Sequence, residues 1–184
     1  MNVYDFDKTI YQRDSTVDFY FYCLKKHPLM MVEFFSLAFA GIKYKLKLLS
    51  KTQAKEVFYR FLKHIPDVDK EIDNFWNIHI TDIKKWYLVQ KRDDDVIISA
   101  SPEFLLRPIC DKLDIKYLIA SRIDKKTGIT TGGNCYGEEK VVRFQQADYY
   151  GKVDEFYSDS YSDDPLAKLA SKSFLVKGDN LFDW

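Results

Sequence analysis

Short apolar runs, each fit for one strand, recur along this chain with helical segments between most of them. Asn2 to Phe6, Val96-Ile97-Ile98, Tyr117 to Ala120, Glu155 to Ser158 and Ser173 to Lys177 read as strands. The β-branched run at 96–98 suits a strand buried on both faces. Pro102 to about Leu113, Glu138 to Tyr150 and Pro165 to Ser171 read as the helices between them, two of the three opening on proline. Such alternation specifies an α/β fold, an open and mostly parallel sheet with right-handed crossovers. From about Val17 to Tyr87 apolar residues recur at helical spacing, as in Val57, Phe58, Phe61, Leu62 and Ile65. Pro28 and Pro66 divide that stretch into several helices, and Asp14, Ser15 and Thr16 offer an N-cap at its start. Arg122 to Thr131, with Gly128 inside it, reads as a β-hairpin.

The 184 residues suffice for one domain with an insertion. Formal net charge is zero, which excludes the global positive field of a nucleic-acid binder. His27, His64 and His79 are too scattered for a zinc site, and three cysteines suggest no disulfide framework. The first strand begins almost at Met1, so a cytoplasmic location with reduced thiols is expected.

Sheets of this kind bind ligands beyond the carboxyl ends of their strands. Asp5, Ser99 and Asp159 each lie at or near such an end. Asp5 and Asp7 would share one side if the first strand continued through both. A divalent cation would relieve their repulsion, one carboxylate can attack phosphorus, and the other can protonate the leaving oxygen. A DxD alone is equally a surface turn. Ser158 to Pro165 carries Asp159, Asp163 and Asp164, suited to Mg²⁺ and equally to a helix N-terminus. The Ser99 hydroxyl and nearby backbone N–H groups suit phosphate oxygens, or the serine simply caps a helix. Lys140 opens a helix after Gly137-Glu138-Glu139, where a lone lysine is ordinarily solvated.

Taken in order, VYDFDKT, VIISAS, CYGEEKVVRF and YSDSYSDDPL are more specific than any one of them. Together they resemble the four motifs of the haloacid dehalogenase superfamily. The similarity is greatest to subfamily IB, the branch with phosphoserine phosphatase and the phosphatidylglycerophosphatase C type. The resemblance implies a Rossmannoid core (residues 1–14 and 91–184) with an all-helical cap of the C1 type between (15–90). It implies a Mg²⁺-dependent phosphomonoesterase with an aspartyl-phosphate intermediate. Asp5 would be nucleophile and metal ligand, and Asp7 the general acid/base with its carbonyl on the metal. Thr9 would steady the loop and, with Ser99, Ala100 and Lys140, serve the phosphate; Asp159 would ligate Mg²⁺, and Asp163 would support it. Lys8, SAS and SDSYSDD depart from the phosphoserine phosphatase pattern, which puts that substrate in question. A non-catalytic binding module on the same fold and a phosphotransferase to an acceptor other than water are the competing readings.

Within the helical block, Leu29 to Ile42 is apolar apart from Glu33 and is followed by Lys43, Lys45, Lys47 and Lys51. The run is shorter than the roughly 20 residues that span a bilayer. Packing within the cap or against a dimer mate is the ordinary expectation for such a stripe. The alternative is peripheral contact of residues 29–51 with an anionic membrane, at its inner face, and a lipid phosphomonoester as substrate. Tyr20, Arg60 and Trp86 are candidate leaving-group contacts.

Overall fold

The computed structural model describes residues 1–184. Six strands form one sheet: β1 (Asn2–Tyr4), β2 (Val96–Pro102), β3 (Tyr117–Ser121), β4 (Val153–Ser158), β5 (Ala170–Lys177) and β6 (Asn180–Asp183). Their order is β3-β2-β1-β4-β5-β6. All pairs are parallel except β5 with β6. The chain therefore steps outward from β1 through β2 and β3, then returns to the other side of β1 as β4. That reversal puts a crevice between the carboxyl ends of β1 and β4.

Strand periodicity supplies two cores. Val3, Val96, Ile98, Ile119 and Phe156 point to one face, where they meet Phe144 and Leu166. Tyr4, Ile97, Leu118 and Tyr157, one residue out of step, point to the other. Phe144 lies on α7 (Glu138–Gln145) and Leu166 on α8 (Asp164–Ala167). The opposite face carries α6 (Glu103–Lys112), through Leu105, Leu106 and Ile109.

That second core continues into the helices inserted after β1. These are α1 (Ser15–Lys26), α2 (Phe34–Lys45), α3 (Lys51–Tyr59), α4 (Val68–His79) and α5 (Lys85–Gln90), with 3₁₀ turns at Pro28–Glu33, Arg60–His64 and Ile80–Asp82. Asp14 caps α1 by accepting from the Val17 N–H. Trp76 Nε1 donates to the Leu105 carbonyl at 2.7 Å and joins insert to sheet layer. The two connecting segments pair with each other: Tyr11 bridges Ile83, and Lys84 N–H donates to the Ile10 carbonyl at 2.8 Å.

Three expectations change, and one strand is added. The first strand stops at Tyr4, because Lys8 takes a left-handed φ of 59° in a turn that folds Thr9, Ile10 and Tyr11 N–H groups back onto the Phe6 carbonyl. β2 runs past Ser99 to Pro102, so the helix begins at Glu103 and Ser99 caps nothing. The 122–131 hairpin is a turn with one bridge, Ile123 with Thr130. β6, four exposed residues with little apolar alternation, was not legible as a strand.

The apolar run at 29–42 is not packed within the chain. Met30 and Ala40 are buried, whereas Leu29, Met31, Val32, Phe34, Phe39 and Ile42 are exposed, and Phe35 keeps 81% of its surface. α2 is apolar around most of its circumference, so no single buried face absorbs it. No helix is long and apolar enough to cross a membrane.

Candidate active site

A cavity of about 480 Å³ opens at the carboxyl edge of the sheet, between β1, β4 and the insert. Asp5, Asp7, Ser99, Ala100, Lys140, Asp159 and Asp163 all line it. Asp5 leaves β1 with its N–H on the Tyr157 carbonyl of β4 at 2.9 Å, so the neighbouring strand fixes where its side chain emerges. Asp7 reaches the same cavity by way of the turn rather than along a continued strand.

Lys140 is the centre of the charge arrangement. Its Nζ donates to Asp5 Oδ1 and to Asp163 Oδ2, each at 2.7 Å, and the side chain is 2% exposed. Gly137, with φ of 59°, turns the chain into α7 three residues earlier and aims Lys140 inward. Ser158 Oγ also donates to Asp163 Oδ2, at 2.8 Å. Burial alone would lower the ammonium, but Asp5 and Asp163 outweigh it and hold Lys140 charged above its ordinary value. Burial pushes the Asp5 carboxyl up to about 7; Lys140 opposes that, while the charges of Asp163 and Asp7 add to it.

Asp7 accepts from the Ser15 N–H at 2.7 Å and, through a very short contact, from Ser101 Oγ. Burial, and then the charge of Asp14, push its carboxyl up to about 6, against both hydrogen bonds. Such a group can hold and release a proton near neutral pH. Ser101 sits two residues after Ser99 on β2, on the same side of the strand. That spacing, the SAS motif itself, was the signal that could have revealed it. Ser99 Oγ accepts from the Ser101 N–H at 3.1 Å.

Thr9 is fully buried and does not line the cavity. Its hydroxyl donates to Asp5 Oδ2 at 3.4 Å and accepts from the Asp159 N–H at 3.0 Å, so it braces two loops rather than facing a phosphate. Burial raises the Asp159 carboxyl, with Lys8 and Lys177 opposing. Tyr20, Arg60 and Trp86 do not line the cavity; Lys51, Lys55, Phe58, Tyr59 and Tyr136 do.

No group of three or more His, Cys, Asp or Glu side chains could hold a metal by itself. Mg²⁺ needs fewer: one or two carboxylates, with waters and other oxygens completing an octahedron. The donors here are all hard oxygens, and Asp163 Oδ1 is buried without a hydrogen-bond partner in an acidic pocket. Asp5 and Asp159, both lining the cavity, are carboxylates of the kind such a cation takes.

A doubly wound sheet with a polar, carboxylate-rich crevice at its switch point, lined in part by inserted helices, defines an α/β protein with a ligand-binding crevice of the kind enzymes use. The family model for haloacid dehalogenase-like hydrolases matches residues 3–168, and the chain belongs to that family. Among curated proteins, a histidinol-phosphatase of Neisseria meningitidis serogroup C (strain 8013) is 31% identical over 100 residues. That match covers 47% of this chain and 45% of the relative, so it spans under half of the relative's length. Similar folds occur in a Bordetella pertussis Tohama I protein of unknown function (TM-score 0.74, 21% identity, 94% of this chain and 87% of that one). They occur also in a phosphoserine phosphohydrolase-like protein of Francisella tularensis (TM-score 0.58, 17%, 94% and 86%) and a probable phosphoserine phosphatase of Vibrio cholerae (0.67, 14%, 94% and 55%).

Proposed function

We propose that the protein is a Mg²⁺-dependent phosphomonoesterase that passes the phosphoryl group through an aspartyl-phosphate on Asp5. The observation that carries this reading is Lys140, buried between Asp5 and Asp163 on the floor of a cavity that Asp7 and Asp159 also enter. Phosphoryl transfer needs an in-line nucleophile and positive charge around three oxygens more than it needs covalent machinery. Asp5 would attack phosphorus while the bond to the ester oxygen breaks, and Asp7 would give its proton to that leaving oxygen. Asp7, now a carboxylate, would take a proton from water as the water oxygen attacks phosphorus. The Asp5–phosphorus bond then breaks and inorganic phosphate leaves. Ser99 and the Ala100 N–H would hold phosphoryl oxygens, and Thr9 would position Asp5 and Asp159. Asp5, Asp159 and the Asp7 carbonyl would hold Mg²⁺, which would further neutralise phosphoryl charge. The inserted helices, residues 15–90, act as the cap over this site.

The test is phosphate release from p-nitrophenyl phosphate with Mg²⁺. Asp5→Asn is expected to lose all measurable turnover and all trapping of beryllofluoride; wild-type activity in that variant would end the proposal. Product analysis in the presence of alcohols separates hydrolysis from transfer to another acceptor.

A specific observation favours a lipid phosphomonoester, such as phosphatidylglycerophosphate, over a soluble one. Leu29, Phe34, Phe35, Phe39, Leu46 and Leu48 are exposed beside Lys43, Lys45 and Lys47. Apolar side chains flanked by lysines suit the surface of an anionic bilayer, at its cytoplasmic face. The triple change of Phe34, Phe35 and Phe39 to Ser should weaken binding to phosphatidylglycerol vesicles. Absence of vesicle binding in the wild type would remove the lipid reading and leave the phosphatase reading intact.

A further inference from the structure

Two lysines of the insert enter the cavity from above, and the catalytic parts on its floor do not use them. Lys51 and Lys55 lie one turn apart on α3, at i and i+4, so they share a face of that helix. Like charges at that spacing are unfavourable, and Lys51 occupies the first turn, where the positive end of the helix dipole disfavours a cation. No acidic residue occupies that turn to compensate. The Ser50–Gln53 capping box fixes the helix start with neutral groups only. Lys55 Nζ rests on neutral oxygens, the Ala100 carbonyl at 2.9 Å and Asn134 Oδ1 at 2.7 Å. Lys51 Nζ sits 3.1 Å from the centroid of the Tyr136 ring. No carboxylate lies within 4.0 Å of either ammonium, whereas Lys140 below them has two.

This places two cations with no ion-pair partner in the cavity, Lys55 within reach of the charge of Asp7, the group that would face the leaving oxygen of a phosphomonoester. Asp14, the acid in that region, is engaged by the Val17 N–H as the cap of α1. Resting on the phosphatase reading above, we infer that Lys51 and Lys55 form an anion subsite that selects phosphomonoesters whose leaving group carries a second negative charge, a carboxylate or a phosphodiester. Burial, and the charge of Lys51, push the Lys55 ammonium down to about 8 in the free protein, against Asp7 and Asp14. A bound anion would relieve that situation, so occupancy and charge support each other. The subsite disfavours a cationic leaving group such as that of histidinol phosphate, the substrate named for the Neisseria relative.

Both sources of the anion are testable with matched pairs of substrates for the Mg²⁺-loaded enzyme. The soluble pair is 3-phosphoglycerate against glycerol 3-phosphate. The lipid pair is phosphatidylglycerophosphate against phosphatidic acid in the same mixed micelles. In at least one pair the anionic member should have a kcat/KM roughly 10-fold or more higher, as expected for a charge-assisted contact. Lys51→Met and Lys55→Met should each reduce that ratio by about 10-fold, and Lys55→Arg should retain most of it. Lys51 holds no structural hydrogen bond, so its variant keeps the test sound if Lys55→Met perturbs the Ala100 loop. Calorimetric binding of each pair to the wild type reads the same preference without turnover. Equal values within both pairs, or a preference for L-histidinol phosphate, would overturn the subsite. Asp5-dependent phosphate release from any of these compounds would leave the phosphatase reading standing, and its absence from all would count against that reading separately.

Discussion

Replacing Lys140 with Met tests the central charge arrangement, because the cation is enclosed and both of its partners are carboxylates. Its Nζ is shared by Asp5 and Asp163 at 2.7 Å each, and its side chain is 2% exposed. Removing one member of a buried ion pair strands the others, at a cost of about 3–5 kcal/mol. For a chain of this size that corresponds to a loss of roughly 6–20 °C in melting temperature. The cost should depend on pH. Asp5 has a folded-state value raised from 3.8 to about 7, so its contribution to stability is full below about pH 4 and is lost as pH rises through 7. Lys140 is raised as well, so its contribution is present across neutral pH and lost only far into the alkaline range. The Asp5–Lys140 part of that pairing stabilises only once Asp5 ionises, while the Asp163 contact adds to it separately. The gap between wild type and Lys140→Met should therefore be smaller at pH 5 than near pH 8. Urea titrations without Mg²⁺ at both values measure it. The further change Asp163→Asn, which removes one stranded carboxylate, should recover part of the stability and none of the activity. A gap below about 1 kcal/mol at pH 8, or one equal at both pH values, would refute the claim that Lys140 is the electrostatic keystone.

Three other outcomes follow from the same geometry. Ser101→Ala removes a hydrogen bond that lowers the Asp7 carboxyl, so Asp7 should titrate above its present value of about 6. A step that needs protonated Asp7 is lost as pH rises through that value, so the alkaline limb of kcat for alkyl phosphates should move upward while kcat itself falls roughly 10-fold. p-Nitrophenyl phosphate, whose leaving group needs little protonation, should shift less. Gly128→Ala should destabilise by at least about 1–3 kcal/mol in thermal melts, since the residue has φ of +74° and a Cβ would lie 2.7 Å from the Tyr59 carbonyl oxygen. EDTA should abolish phosphate release and Mg²⁺ restore it, with the fold stabilised by about 2.7 kcal/mol at 100 times the dissociation constant; activity unchanged by EDTA would remove the metal from the mechanism.

The sheet was legible because its strands are buried on two faces and carry that burial as short continuous apolar runs. Val96-Ile97-Ile98 sends alternate residues into different cores, which only a fully covered strand can do. β6 lacked that signature because an exposed edge strand has no core face to declare it. The motif residues Asp5, Asp7, Ser99, Ala100, Lys140, Asp159 and Asp163 do meet around one cavity. Thr9 does not enter it, since a hydroxyl that braces two loops and one that binds phosphate leave the same letter in the sequence. Lys55 escaped notice for a similar reason, and Lys51 drew notice only among the lysines facing a membrane: lysines at i and i+4 ordinarily mark a solvated helix face. Only the position of α3 over the crevice, unknowable from helical period, turns that face inward.

The distribution of conflict in the molecule separates its two halves by role. In the core the buried charges Asp5, Lys140 and Asp163 are paired with one another, Asp163 Oδ1 is left without a partner, and the half-buried Asp159 carboxylate lines the same cavity. Those are the places where a hard cation would complete the set. In the insert the unfavourable features are of other kinds: paired like charges on α3 and an apolar helix, α2, left facing solvent. Neither helps the insert to fold, and local choices that oppose the fold concentrate where function requires them. Under the proposed function, the core's unmet oxygen would meet a phosphoryl group and its metal. Under the same proposal, the insert's lysine pair and bare apolar helix would meet an anion and an apolar surface in the rest of the substrate.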